Sequence, residues 1–403
     1  MSAYGKQIGE ARRWHSFERF LLHSLCSGLV LLVLFDWLFD FEIIFFPFSK
    51  YLRVFLLVIC LFYLIISGIR FGKYGYLFGG VFSYFLALNL IYAIVSNDVV
   101  GNLYHCSRIA FWLLAAVVTY RLIIFGYLTE EALQKIVFAT IILGSTFTIY
   151  FMTMSGAEAG QNASAYLLVW CLPLLLMANK SQLNSIFLAL AVLAILLTVK
   201  RGAMIALGLS ILSYGLVYIQ VQQRLRAFLR IAGLFCFLTI VFVYGLSLNW
   251  EAIQLRFEDT SGSGRDQMYS MLLDHWLDAD FVNFVLGFGI NSVQQYTGFM
   301  FSGISGRLGP YAHSDWVQMA HDFGLLGIGF LVWLHIRVLL LIRLSYRIRH
   351  PYTPSLAMGY VILFLVNIYS GHLMSPNAVY FGLLLAYANA AIHLNVAVPG
   401  RAR

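Results

Sequence analysis

Apolar residues run along this chain in blocks of about twenty, the length an α-helix needs to cross a bilayer, separated by short polar or glycine-containing breaks. The pattern predicts spans near 19–36, 52–70, 75–95, 108–126, 133–154, 163–179, 183–199, 202–221, 230–247, 323–343, 355–371 and 376–395. Without Lys200-Arg201 the seventh and eighth would read as one continuous helix. Two adjacent charges at that midpoint predict a tight turn at the membrane interface. The first block starts after Phe17, is long enough to span and is not followed by a small-residue cleavage pattern, so a first helix is expected there and not a removed signal peptide. The expected fold class is therefore all-α: one polytopic membrane domain over 1–403 with about twelve spans. A long, partly helical loop at 248–311 separates the ninth span from the tenth.

Charge gives the arrangement a direction. With the loops assigned to alternate sides, the side holding the N-terminus collects 18 of the 26 Lys and Arg, and the other side 14 of the 18 acids. The positive-inside rule then predicts that both termini are cytoplasmic and that the 248–311 loop is extracytoplasmic. Composition agrees: 61% of residues are hydrophobic and 11% charged, against about 25% charged in soluble domains. The net charge of +8 is thus topological, and no basic run suggests nucleic acid as a partner. The five cysteines lie in or beside apolar segments and form neither a disulfide framework nor zinc spacing.

On an acidic outer face the few basic residues stand out. Arg265 follows Ser261-Gly262-Ser263-Gly264 and opens a stretch, Asp266 to Phe284, whose apolar residues recur at helical spacing. A glycine-rich turn entering a helix offers free N–H groups to an anion, which an arginine would complete. Pairing with Asp266 or Glu258 is the plainer alternative. Lys200 and Arg201 sit at the outer end of a span, either snorkelling to headgroups or facing a ligand. The densest polar run beside any span, Tyr311 to Gly324, contains His313 at the water boundary and His321 two turns deeper. Either imidazole could act as a base near neutral pH, although an interhelical hydrogen bond is the commoner role for one placed like His321. Phosphate-loop, zinc-protease and serine-hydrolase motifs are absent.

Three stretches, in order, resemble the signature of the O-antigen ligase and polymerase superfamily of membrane glycosyltransferases. They are Lys200-Arg201-Gly202-Ala203 at the start of a span, Gly264-Arg265 with Leu-Gly-Phe-Gly at 286–289, and His313-Ser314 with Gly324-Leu-Leu-Gly327. The resemblance covers about residues 195–345 and departs from the common pattern at Ser314, where asparagine is frequent, and in lacking a threonine pair near Gly327-Ile-Gly329.

The resemblance implies an O-antigen ligase. Its donor would be an undecaprenyl-pyrophosphate-linked glycan and its acceptor the lipid A core oligosaccharide, on the periplasmic face of a bacterial inner membrane, without metal, nucleotide or other cofactor. Carried over, Arg201 and Arg265 would bind the pyrophosphate and His313 would deprotonate the acceptor hydroxyl. Lys200, His321 and Tyr311 are expected to contribute to substrate binding. An O-antigen polymerase, taking a second lipid-linked glycan as acceptor, is the nearest rival. A transporter is the rival from another class, disfavoured because the conspicuous charges gather at one face and no span carries a central acid.

Overall fold

The computed structural model describes residues 3–40, 46, 48–67, 80–95, 99–159, 163–177, 182–198, 200–222, 265–302, 308–371 and 377–397, with scattered positions in 229–243 and at 373 and 375. All regular structure among them is helical. In chain order the helices are α1 (Ala3–Asp40), α2 (Phe48–Ser67), α3 (Gly80–Val95), α4 (Val99–Ile124), α5 (Glu130–Ala159), α6 (Ala163–Met177), α7 (Gln182–Leu197) and α8 (Arg201–Gln222). After them come α9 (Arg265–Leu277), α10 (Phe281–Leu286), α11 (Ser292–Ser302), α12 (Asp315–Arg347), α13 (Thr353–Tyr369) and α14 (Ala378–Ala397). Eleven of the twelve predicted spans coincide with apolar helices, six of them long and apolar enough to cross a membrane on length and composition. The predicted ninth span, the Ser261–Gly264 turn and Arg307 fall wholly or largely outside the described residues.

What marks this as a membrane protein in three dimensions is that the outside is as apolar as the inside. On α2, Phe55, Val58, Phe62 and Ile65 are exposed, while Leu56, Cys60, Tyr63 and Leu64 on the opposite face are buried. In water such a surface would aggregate; in lipid it is the solvated face. The core lies around α4, α6 and α14, where Trp112, Trp170 and Phe381 pack together. Because burying apolar surface gains little when the surroundings are hydrocarbon, helix association in lipid draws on close packing and interhelical hydrogen bonds. Thr140 of α5 and Tyr380 of α14 share one at 2.7 Å, and Thr148 of α5 donates to Ser164 of α6 at 2.8 Å. The predicted turn at Lys200-Arg201 is present, α7 ending at Leu197 and α8 beginning at Arg201.

The helical stretch expected from Asp266 to Phe284 is two helices. Asp280 ends the first by capping the second: its carboxylate accepts from the amides of Val282 at 2.9 Å and Asn283 at 3.0 Å. These caps hold the Asp280 carboxyl below the usual carboxylate range, and periodicity alone does not register such a break.

The α9–α11 segment docks onto α12 through a defect in that helix. Gly324 has φ 59° and ψ −146° inside an otherwise helical run, so the carbonyls of His321 and Asp322 turn outward. The amides of Phe288 and Gly289 take them at 2.9 and 3.0 Å. At this contact the two backbones touch. A Cβ on Gly287 would lie 2.4 Å from the Phe323 nitrogen, and one on Gly324 would lie 2.6 Å from the Gly287 nitrogen. Both residues also have positive φ, so alanine at either would be strained and obstructed at once. Gly324→Ala should therefore lower stability by about 2 kcal/mol or more, read by thermal unfolding in detergent. Gly329→Ala, where a Cβ meets nothing within 4 Å, should be tolerated; equal losses for the two variants would refute the docking.

Candidate functional site

The starts of α8, α9 and α12 and the end of α13 come together around His313. The chain reaches it through Tyr311 and Ala312, turns in the left-handed region (His313 φ 55°) and enters α12 at Asp315. A non-glycine residue in that region is held there by its surroundings, at a cost of about 1–3 kcal/mol. The contacts responsible are identifiable. Ala312 donates its amide to Gln318 Oε1 at 3.2 Å, Tyr269 of α9 donates to the His313 carbonyl at 3.1 Å, and the Ser314 hydroxyl donates to the Asn367 carbonyl at 3.2 Å. Behind them Gly371 packs on the His313-Ser314 backbone, a Cβ there coming within 3.0 Å of the Ser314 nitrogen. Asp315, fully buried, fixes the turn that follows α13 by accepting from Leu373 N at 3.2 Å with both oxygens. Its Oδ2 also accepts from the Asn367 amide at 2.8 Å.

Two cations face this loop. Arg265, the first residue of α9, donates to the Tyr369 carbonyl at the end of α13, 3.2 Å away. Lys200 lies over the Tyr166 ring at 4.7 Å. Tyr166 in turn is hydrogen-bonded to Ser370 and lies against Gly202, where a Cβ would approach its hydroxyl to 2.6 Å. Burial, with Arg265 nearby, pushes the Lys200 ammonium down to about 8. The His313 side chain keeps an open face, yet desolvation of the rest of the ring, followed by Arg265 and Lys200, holds it down to about 4. Around neutral pH the cluster is thus an uncharged imidazole beside an ammonium and a guanidinium, three groups from three elements. A site of this kind accepts an anion, through its cations, and a proton, through its imidazole.

The other expected residues are placed differently. Arg201 opens α8 beside Lys200 with an exposed side chain. Tyr311 points away from the cations: its hydroxyl accepts from Arg108 of α4 at 2.6 Å and lies 3.5 Å from His105 Nδ1. His321 does not line the cluster. It is 1% exposed, and both ring nitrogens are engaged, Nδ1 with Ser292 Oγ at 2.8 Å and Nε2 with His275 Nδ1 at 3.0 Å. The same serine donates to Asp322 Oδ1 at 2.7 Å, and Gln318 donates to Asp322 Oδ2 at 2.6 Å while holding Ala312. Beneath His313, then, runs a hydrogen-bonded chain from α9 through α11 to α12, with His321 as a packed member.

Tyr166, Tyr269, Ser370 and Gly371 were missed in the sequence, where no spacing links them to His313. Gln318, six residues before Gly324 and four before Asp322, was legible only as part of the polar run that enters α12.

Residues 186–334 match the family model described as O-antigen ligase. That stretch runs from α7 to the middle of α12 and includes Lys200, Arg201, Arg265, His313 and the Gly287–Gly324 contact; the match supports the O-antigen ligase superfamily. No curated protein matches the chain.

Inorganic pyrophosphate should bind the wild-type protein in detergent. Arg265→Ala or Lys200→Ala should weaken it about ten- to hundredfold, the range for a charge-assisted hydrogen bond. Arg108→Ala, on the far side of Tyr311, should leave affinity within about twofold. Isothermal titration measures all three, and an effect of Arg108 equal to that of Arg265 would reject the clamp.

Proposed function

We propose that this O-antigen ligase superfamily domain, set in a helical membrane protein, transfers a glycan from undecaprenyl pyrophosphate to a sugar hydroxyl of the lipid A core oligosaccharide on the periplasmic side of the inner membrane. The observation that carries the proposal is the convergence of Lys200 and Arg265 on His313. Such a site grips a diphosphate with one hand and deprotonates a hydroxyl with the other.

In this reading the donor's pyrophosphate lies against Lys200 and Arg265, with Arg201 at the neighbouring helix start as a third cation. Nε2 or Nδ1 of neutral His313 accepts the proton of the acceptor hydroxyl as its oxygen attacks the anomeric carbon. The bond from that carbon to the phosphate oxygen breaks, and the electron pair leaves with undecaprenyl pyrophosphate. Two cations held in place before the reaction stabilise the charge growing on the leaving group without having to reorganise. A guanidinium suits this task because its planar fork matches two phosphate oxygens. Direct attack inverts the anomeric configuration. The low basicity of His313 fits the base role: an imidazolium could not accept the proton, and neighbouring cations keep the ring unprotonated until the anionic donor arrives and raises its affinity for a proton. Twelve spans, cytoplasmic termini and an extracytoplasmic 248–311 loop belong to the same proposal, supported by the charge count.

Reconstitution with lipid-linked glycan and core-lipid A should give glycan attached to core, seen on gels; growth of the lipid-linked chain instead would mark a polymerase. His313→Ala should lower kcat by at least about a hundredfold, the scale of general-base loss, with folding unchanged; retained turnover would sink the assignment.

The two depressed pKa values set a window. As pH rises through about 4, His313 loses its proton and kcat/KM should climb. As pH rises through about 8, Lys200 loses its charge and kcat/KM should fall. Lys200→Arg should abolish the alkaline limb, and Arg265→Ala, by removing a neighbouring charge, should move the acid limb upward. An acid limb near the ordinary histidine value in the wild type would contradict the electrostatic coupling.

A further inference from the structure

Away from the cations, the α9–α11 segment encloses a second cavity against α3 and α4. Its volume is about 390 Å³, within the range of small-molecule sites. One wall is the backbone of 286–290, the same turn that docks into the Gly324 break; the others include Tyr92, Asn102, Asn283 and Gln295. Tyr92 anchors the turn by donating to the Leu286 carbonyl.

The chemistry of this lining differs from that around His313. None of the described lining residues carries a charge. Three carboxamides line the cavity, each with a carbonyl acceptor and N–H donors; Asn283 spends one N–H on Asp280 Oδ2 at 2.8 Å. Val95, Val282, Leu286 and Ile290 supply apolar surface beside them. Asn102 is 2% exposed, and its carboxamide oxygen has no hydrogen-bond partner. A buried acceptor left unpaired costs free energy, which a bound donor would recover. Anions would find no cation among these groups, and a hydrocarbon chain would leave the amides unpaired. A ring with hydroxyls around its edge and C–H groups on its faces satisfies both features of the wall.

From this lining we infer that the Asn102–Asn283–Gln295 cavity is a subsite for a neutral pyranose residue, one sugar of the glycan or of its acceptor. The identity of the ligand rests on the glycan-transfer reading; the pocket's neutrality and unpaired amide do not. Position agrees with the role. Ile290 is a wall of this cavity and also of a small pocket lined by Tyr311, Arg108 and Asn291, so the subsite adjoins the loop that carries His313. The Phe288 amide bonded to the His321 carbonyl ties the subsite wall to the helix that His313 precedes. One backbone turn thereby sets the distance between a sugar held in the cavity and the site of transfer.

The test has two readouts. Saturation-transfer NMR would be run on the full chain in nanodiscs with methyl pyranosides of neutral hexoses and N-acetylhexosamines. It should show ring-proton signals that fall at least threefold in an Asn102→Ala/Gln295→Ala double variant, while affinity for inorganic pyrophosphate is unchanged. Gln295 is exposed and Asn102 has no bond to lose, so folding should survive; Gln295→Trp, which fills the cavity from its rim, is the second variant and should give the same loss. Equal signals in wild type and both variants, or none in the wild type, would overturn the inference. In the transfer assay the variants should raise KM for either the lipid-linked glycan or the core-lipid acceptor by about three- to tenfold, as for one or two neutral hydrogen bonds, with kcat within about twofold. Which KM moves identifies the source of the sugar, and movement of neither would overturn the subsite. Pyranoside binding by a wild-type protein that transfers no glycan would defeat the transferase reading and leave the subsite standing.

Discussion

Two stretches of backbone touch at Gly287 and Gly324, and the arrangement of the α9–α12 region depends on that contact. A helix inside a membrane satisfies its own backbone; interrupting it releases carbonyls that need donors. Here the interruption at Gly324 frees the His321 and Asp322 carbonyls, and the 286–289 turn supplies the amides. Neither side is stable alone: the break would leave acceptors unpaired, and the turn, built on positive-φ glycines, has little reason to hold its shape. Together they fix α9–α11 against the top of α12.

Once that segment is fixed, the rest of the site follows by short links. Ser292 and His275 reach His321, Asp322 holds Gln318, Gln318 holds the Ala312 amide, and Tyr269 holds the His313 carbonyl. These bonds offset the unfavourable backbone conformation of His313 and leave its ring open beside Lys200 and Arg265. The imidazole of His313 thus keeps a free face, whereas His321, only eight residues on, spends both nitrogens on the scaffold. The same docking shapes the amide-lined cavity on the other face of the turn, so a cationic cluster and a neutral cavity lie on two sides of one element.

Much was legible beforehand. Helices of about twenty apolar residues, the break at Lys200-Arg201 and the prominence of Arg265 and His313 follow from local rules: hydrocarbon admits only runs whose backbone is internally bonded, and a charge at a span's end has few roles. The family motif joined three pieces in order without saying why glycines at 287 and 324 belong to it. The break at Asp280 escaped because a capping carboxylate acts over three residues, below the resolution of a periodicity argument.

By itself the sequence determined that the chain is built of apolar helices fit for lipid, and which few polar residues are out of place among them. It does so because transfer free energies attach to residues one at a time. Only the tertiary structure decided which of those residues meet. Lys200, Arg265 and His313 stand 65 and 48 residues apart in turn and converge through contacts of Tyr166, Tyr369 and Gly371, whose roles arise from distance in space and leave no mark in spacing along the chain. The depressed basicity of His313, the withdrawal of His321 into the scaffold and the turning of Tyr311 toward Arg108 are likewise products of neighbours brought in from other helices.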